Sequence, residues 1–129
     1  MLTSADKVKI WQRLMNWGRR MGCHQLPERS FFIRGYQCPV CARCTGVLLS
    51  TPLAVVLFFF HRVSIPIALG LSSVMLLDWG VQFLHIREST NPRRFITGII
   101  GGFGVTTLYM YLYLAIYRLG MKWVFGGAA

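Results

Sequence analysis

Residues 23–46, CHQLPERSFFIRGYQCPVCARCTG, contain all four cysteines of the chain and end inside its first long apolar segment. Cys23 is followed at once by His24, and Cys38, Cys41 and Cys44 follow at intervals of three residues. Thiolate sulfur and imidazole nitrogen are ligands that zinc prefers in proteins, usually four in a tetrahedron. The stretch therefore predicts a metal site next to the start of a long apolar helix.

The composition of the chain indicates a membrane protein. It is 54% hydrophobic and only 14% charged over 129 residues, which is too apolar for an ordinary soluble domain. A helix needs roughly 20 apolar residues to cross a bilayer, and three segments meet that requirement: 39–60, 63–84 and 95–117. We therefore predict an all-α membrane protein, a single membrane domain over 1–129 with three transmembrane helices.

The residues before the cysteine stretch predict an amphipathic helix over 5–21. Thr3 and Asp6 have the spacing of a capping box, and tryptophan and aliphatic residues occupy one side of the helix while basic residues occupy the other. A helix of this kind lies in the membrane interface, although packing against a partner protein remains the alternative. Residues 22–38 are broken up by proline and glycine and predict a loop that carries Cys and His.

The net charge of +10 is explained by membrane topology rather than by nucleic-acid binding. Most basic residues precede the first span or lie in the loop after the second. Since Lys and Arg mark the cytoplasmic side, we expect the N-terminus in the cytoplasm and the C-terminus outside, in a prokaryotic cytoplasmic membrane, with the lipid bilayer as partner. No cleaved targeting segment is expected. The cytosol keeps thiols reduced, which favours metal binding over disulfides.

The metal-binding set predicted by the sequence is Cys23, His24, Cys41 and Cys44. Further ligands that can complete it from across the bundle are His85, Cys38 and Asp78. Zinc is the expected ion; an iron–sulfur cluster is less favoured, because the fourth cysteine and following proline of the bacterial ferredoxin pattern are missing. Buried, unreactive thiols are the simplest alternative, and Arg43 is expected to extend to the lipid headgroups.

A polar stripe marks the end of the second span. Asp78, Gln82 and His85 have i, i+4 and i+7 spacing and are expected on one helix face. An ionisable residue at this depth needs a partner, for which Arg93, Arg94 or the metal are candidates. If the metal keeps an exchangeable position, Asp78 or His85 can act as a base on metal-bound water, so these three residues are the candidate catalytic set.

The third span begins with a basic turn. Asn91 is predicted as the helix N-cap, with Pro92 in the first turn. Arg93 and Arg94 oppose the helix dipole there unless an anion binds. We therefore predict that Asn91, Arg93 and Arg94 bind an anionic lipid or phosphate group, while topology alone is the simpler explanation of the charges.

Two other functions use the same residues differently. Cys38 and Cys41 form the C-P-x-C pattern of thiol-disulfide oxidoreductases, in which a helix N-terminus lowers the pKa of a thiol. Gly98 and Gly102 form a small-residue motif, through which the chain can assemble as a homo-oligomer, either as a non-enzymatic subunit or as a small channel. Whether the protein is an enzyme is left open.

Taken together, the motifs resemble an uncharacterised family of small prokaryotic integral membrane proteins, catalogued as a domain of unknown function. The resemblance covers roughly residues 22–102 and is carried by CHQ at 23–25, PERSF at 27–31, GYQ at 35–37, CARCTG at 41–46, and Asp78, Gln82, Ser89, Asn91, Arg94, Thr97 and Gly98. It implies a polytopic membrane protein and supplies no activity, cofactor or substrate. It also implies that the Cys38 position can be apolar, which weakens the oxidoreductase alternative.

Overall fold

The protein is seen in a computed structural model that describes residues 3–126. Within that range the chain forms four α-helices, with a 3₁₀ turn and a short antiparallel β-hairpin between the first two. The elements are α1 (Ser4–Arg20), the 3₁₀ turn (Pro27–Arg29), β1 (Phe32–Ile33), β2 (Tyr36–Gln37), α2 (Ala42–Phe60), α3 (Ile65–Phe83) and α4 (Asn91–Phe125). The helices α2, α3 and α4 are long and apolar enough to cross a membrane. The prediction of an all-α membrane protein with three spans is confirmed.

The helix α4 is the centre of the bundle, and it packs on both α2 and α3. Its glycines allow this close contact. A Cβ at Gly98 would collide with the Arg43 carbonyl of α2, and one at Gly102 would lie 2.5 Å from Ser50 Oγ. Because α2 already covers these glycines, this small-residue face packs inside the protein, and the prediction that it joins two copies of the chain is not supported.

The N-terminal helix has the predicted cap. Thr3 Oγ1 accepts a hydrogen bond from the Asp6 N–H at 3.3 Å, and Asp6 Oδ2 accepts one from the Thr3 N–H at 3.1 Å. Apolar side chains of α1, among them Ile10, Leu14 and Trp17, are exposed. An exposed apolar stripe on a basic helix suits the plane of a membrane surface.

The helix α2 begins three residues later than the predicted 39–60 span. Cys41, not Cys38, is the N-cap residue. The reason lies outside the segment itself: the side-chain amide of Gln25 donates a hydrogen bond of 2.6 Å to the carbonyl of Pro39, and the Cys38 N–H donates to the Phe31 carbonyl at 2.8 Å. These contacts hold residues 38–40 in a bend outside the helix, so Cys41 and Cys44 lie at the start of α2.

The ends of α3 and α4 also differ from the predicted spans. The helix α3 stops at Phe83, and His85 has a left-handed backbone (φ 55°), so His85 does not continue the helical stripe of Asp78 and Gln82. The N-cap of α4 is Thr90 rather than Asn91. In addition, α4 runs to Phe125, well beyond the predicted end at 117, since no proline lies between those positions and Gly120 alone costs the helix only about 1 kcal/mol.

Candidate metal centre

Three sulfur atoms from two parts of the chain meet at the end of the bundle. The Sγ atoms of Cys23, Cys41 and Cys44 all lie within 4.8 Å of one another. Tetrahedral zinc with Zn–S bonds of about 2.3 Å places its sulfur ligands roughly 3.8 Å apart, so small side-chain rotations suffice to close the group around an ion. Cys23 is 8% exposed, and the other two are half-buried. The geometry therefore allows three thiolate ligands for one metal ion.

Local backbone geometry positions these thiols. Gly22, with φ +81°, turns the chain at the end of α1, and this turn directs Cys23 toward the start of α2. The Cys41 N–H, free at the helix terminus, donates a hydrogen bond of 3.1 Å to Cys23 Sγ. Cys44 lies three residues further along the same helix face. A loop cysteine is thus paired with two cysteines of a helix end.

Gln25 is the residue that ties this arrangement together. Its side-chain amide donates to the carbonyls of Met15 in α1 and of Pro39 before α2, both at 2.6 Å. The Gln25 carbonyl in turn accepts from Gln37 Nε2 at 2.7 Å. Sequence reasoning assigned Gln25 no role, and its only signal was its place directly after Cys23 and His24. It links α1, the loop and α2, and so fixes the distance between Cys23 and Cys41.

The thiol of Cys41 is poised to ionise. A hydrogen bond from the Cys44 thiol holds the pKa of Cys41 below its ordinary value of 9.0, at about 5, against the opposing effect of burial. The backbone N–H of Cys44, the Cys23 thiol and the backbone N–H of Arg43 act in the same direction as the Cys44 thiol. The thiolate is the form of cysteine that binds metals, so Cys41 offers one ligand in its metal-binding form near neutral pH.

This ionisation gives a testable pH dependence for the metal-free protein. Since the pKa of Cys41 is lowered to about 5, its thiolate persists from alkaline pH down to that value. We expect the rate of Cys41 alkylation by iodoacetamide, followed by mass spectrometry, to be nearly constant above pH 6 and to fall by half near pH 5. In Cys44→Ala the midpoint should move toward 9; an unchanged midpoint would show that Cys44 is not the cause.

Four predicted ligands lie outside the cysteine group found within residues 3–126: His24 and the further candidates Cys38, Asp78 and His85. His24 is exposed and is not among the clustered ligand atoms found within residues 3–126, although it lines the adjoining cavity. Cys38 is also outside this group, because it precedes the bend at Pro39 and Val40 and does not belong to the first turn of α2. The structure thus brings three of the four predicted metal-binding residues together.

Asp78 is enclosed by polar partners below the cysteine group. It is 4% exposed. Arg43 Nη2 lies 2.6 Å from Asp78 Oδ2, and Arg93 Nε lies 2.7 Å from Oδ1. Hydroxyls of Ser89 and Thr97 lie 3.4 Å from the carboxylate. Arg93 is one of the partners expected for Asp78, whereas the prediction that Arg43 extends to the headgroups is wrong, since burial beside a carboxylate offers it a closer partner.

A cavity of about 440 Å³ adjoins the cysteine group. The three cysteines and Gln82 contribute to its wall, and its other polar lining side chains are Gln25 and those of His24, His85, Arg29, Arg43 and Arg94. Apolar lining comes from Leu26, Trp79 and Phe83. No Asp or Glu of the described chain lines it. The cavity is therefore suited to an anionic ligand beside a metal.

The three residues of the predicted anion site are separated by the structure. Arg94 lines the cavity, whereas Arg93 binds Asp78 instead. Asn91 Nδ2 donates at 3.5 Å to the carbonyl of Ser30, which joins the start of α4 to the loop. Arg29 and Arg43 were not part of the predicted anion site, but both line the cavity beside Arg94. Arg29 reaches it because the loop folds over the end of the bundle.

Comparison with known proteins places the chain in a family. A family described as "Predicted membrane protein" matches residues 23–108. An uncharacterized protein of Methanothermobacter thermautotrophicus is 36% identical over 95 residues, which cover 67% of this chain and 82% of that protein. One of Methanocaldococcus jannaschii is 39% identical over 90 residues, covering 64% of this chain and 58% of that protein. No solved structure matches the chain significantly. The match spans the cysteine group, Asp78 and the cavity residues, and the chain belongs to the DUF2085 family of membrane proteins.

Proposed function

We propose that the protein is a membrane metalloprotein in which Cys23, Cys41 and Cys44 bind one zinc ion at the cytoplasmic end of the helix bundle. The observation that carries the proposal is the convergence of these three sulfur atoms within 4.8 Å of one another. Zinc accepts thiolate ligands and is redox-inactive. Reduced thiols in the cytosol favour such a site over a disulfide.

The orientation of the protein in the membrane is part of the proposal. The cysteine group, the basic helix α1 and the loop between α3 and α4 belong to the same end of the bundle. Lys and Arg are concentrated in these segments, and such an excess is retained on the cytoplasmic side. The metal centre then lies at the inner membrane surface, with α1 in the interface plane.

The number of protein ligands indicates what a zinc ion would do at this site. Three protein ligands plus one exchangeable position are typical of catalytic zinc, whereas four protein ligands are typical of structural zinc. Because the cysteines border the cavity, we propose that a zinc ion held by them would be accessible from the cavity and would act as a Lewis acid on an anionic ligand bound there, with an anionic lipid or phosphate compound as the substrate class. His85, which lines the same cavity, is the candidate base, while Asp78 holds Arg43 and Arg93 in place.

Metal analysis of the full chain purified in detergent tests the centre. We expect close to one zinc per chain in the wild type, and at least a tenfold loss in Cys41→Ser and in Cys44→Ser. The matched control is Cys38→Ser, which changes a cysteine outside the cluster and should keep its zinc. Equal zinc content in all four proteins would overturn the proposal. Bound iron together with visible absorption would show that the cysteines hold an iron–sulfur cluster instead of zinc.

A thiol-disulfide oxidoreductase is the second candidate, favoured by the lowered pKa of Cys41. In that function a thiolate attacks a substrate disulfide and a second thiol resolves the mixed disulfide. The same Cys38→Ser protein separates the two functions: zinc binding is independent of Cys38, whereas an exchange activity that depends on a Cys38/Cys41 pair is abolished when Cys38 is replaced.

A further inference from the structure

Arg94 is a buried cation without a counter-ion in the described chain. It is 7% exposed, and its Nε atom has no hydrogen-bond partner among residues 3–126. The salt bridges found in this range join Asp78 to Arg43 and to Arg93, so neither involves Arg94. A buried charge that is left unpaired costs several kcal/mol, and such a group persists where it has a ligand to bind.

The side chain of Arg94 lines the cavity beside the cysteine group, together with Arg29 and Arg43. Among these three, Arg43 is paired with Asp78 through Nη2, while its Nε has no hydrogen-bond partner among residues 3–126. Arg29 is exposed at the end of the 3₁₀ turn and can rearrange toward a ligand. A guanidinium presents a planar set of donors that matches the oxygens of a phosphate group. The described wall contributes no carboxylate that would repel such an anion.

The apolar part of the wall indicates where the ligand enters. Trp79 and Phe83 line the cavity and are also exposed on the outer surface of α3. In a membrane-spanning helix this surface faces the lipid, and tryptophan is favoured near the headgroups. The cavity therefore joins a cationic interior to the region of the lipid headgroups.

We propose that this cavity binds the phosphate group of its ligand through Arg94, with Arg29 and Arg43 as further donors. The proposal deepens the proposed function, since the cavity borders the metal centre and the phosphate group is the part of the substrate held there. The phosphate can belong to a phospholipid that enters past Trp79 and Phe83 or to a soluble phosphate compound. Either source presents the same oxygens to Arg94.

The test compares Arg94→Gln with the wild type and with Arg87→Gln, in the metal-loaded full chain. Arg87 is exposed and does not line the cavity, so its replacement removes the same charge from a position outside the site. Binding is measured with two probes: inorganic phosphate by ³¹P NMR line broadening, and phosphatidic acid in phosphatidylcholine nanodiscs by native mass spectrometry. Zinc content is measured in the same samples.

We expect Arg94→Gln to bind phosphate at least tenfold more weakly, while Arg87→Gln changes binding by less than twofold and both keep their zinc. A wild type that binds phosphatidic acid but not inorganic phosphate identifies the lipid as the source, and the reverse identifies a soluble compound. If Arg94→Gln does not fold, Arg29→Gln, at an exposed position of the same wall, is expected to weaken phosphate binding several-fold.

Three results would overturn this proposal: no binding of either probe by the wild type, equal binding by wild type and Arg94→Gln, or loss of zinc together with phosphate in Arg94→Gln. The last result would show that Arg94 compensates the negative charge of the metal–thiolate centre instead of binding phosphate. The first two would leave the zinc content unchanged, so they would reject the phosphate site without rejecting the metal centre.

Discussion

Replacing Asp78 by asparagine is expected to lower the free energy of unfolding by about 3–5 kcal/mol, because removal of one partner from a buried ion pair leaves the remaining charge uncompensated. Here two cations lose their partner, since Asp78 lies 2.6 Å from Arg43 and 2.7 Å from Arg93. The carboxylate is almost fully buried. The measurement is SDS-induced unfolding in mixed micelles, followed by circular dichroism.

The control for this prediction is Arg93→Gln. The Arg93 side chain is 40% exposed, and Asp78 keeps its contact with Arg43 when Arg93 is replaced, so no fully buried charge is left without a partner. We therefore expect Arg93→Gln to cost much less than Asp78→Asn, although each variant breaks a contact with the same carboxylate. A similar loss in both variants, or a loss below 1 kcal/mol in Asp78→Asn, would contradict the role assigned to burial.

The change Gly98→Leu should separate α2 from α4. A Cβ at Gly98 would collide with the backbone carbonyl of Arg43, which cannot rotate away as a side chain can. Overpacking of a core costs typically 1–3 kcal/mol, and we expect about 3 kcal/mol or more here, because backbone must move. Arg43 lies between Cys41 and Cys44 in sequence, so zinc content should fall as well.

The matched control is Gly70→Leu in α3. A Cβ at Gly70 meets no atom within 4 Å, and leucine favours a helix over glycine by about 1 kcal/mol, so stability should be unchanged or slightly higher. Both variants are compared by SDS-induced unfolding, metal analysis and size-exclusion chromatography. If Gly98→Leu kept its stability and changed only the oligomeric state, the glycine face would join separate chains after all.

Much of the fold follows from local properties of the sequence. Apolar segments of the right length predict the three spans, because the bilayer imposes the same requirement on every residue that crosses it. The capping box of Thr3 and Asp6 depends on a spacing of three residues and nothing else. The pairing of Cys41 with Cys44 likewise follows from the helical repeat.

The predicted helix limits failed where distant contacts decide them. The start of α2 is set by the hydrogen bond of Gln25 to the Pro39 carbonyl, across 14 positions of sequence. The local pattern favours Pro39 as a first helical residue, and no local signal reports the competing bond. His85 is a second example. Helical spacing places it in one stripe with Asp78, but α3 ends at Phe83, before His85 is reached.

The sequence by itself determined the class of the protein, its spans, the small-residue face of α4 and the grouping of candidate ligands, since hydropathy, capping and helical spacing act over a few residues. Only the tertiary structure decided that Cys23 joins Cys41 and Cys44 while His24 and Cys38 do not. It also decided that Arg43 is paired with Asp78 and that Arg94 is buried with no carboxylate of residues 3–126 in a salt bridge to it. Ligand distance and the burial of charge depend on which segments pack together, and that packing involves residues far apart in the chain.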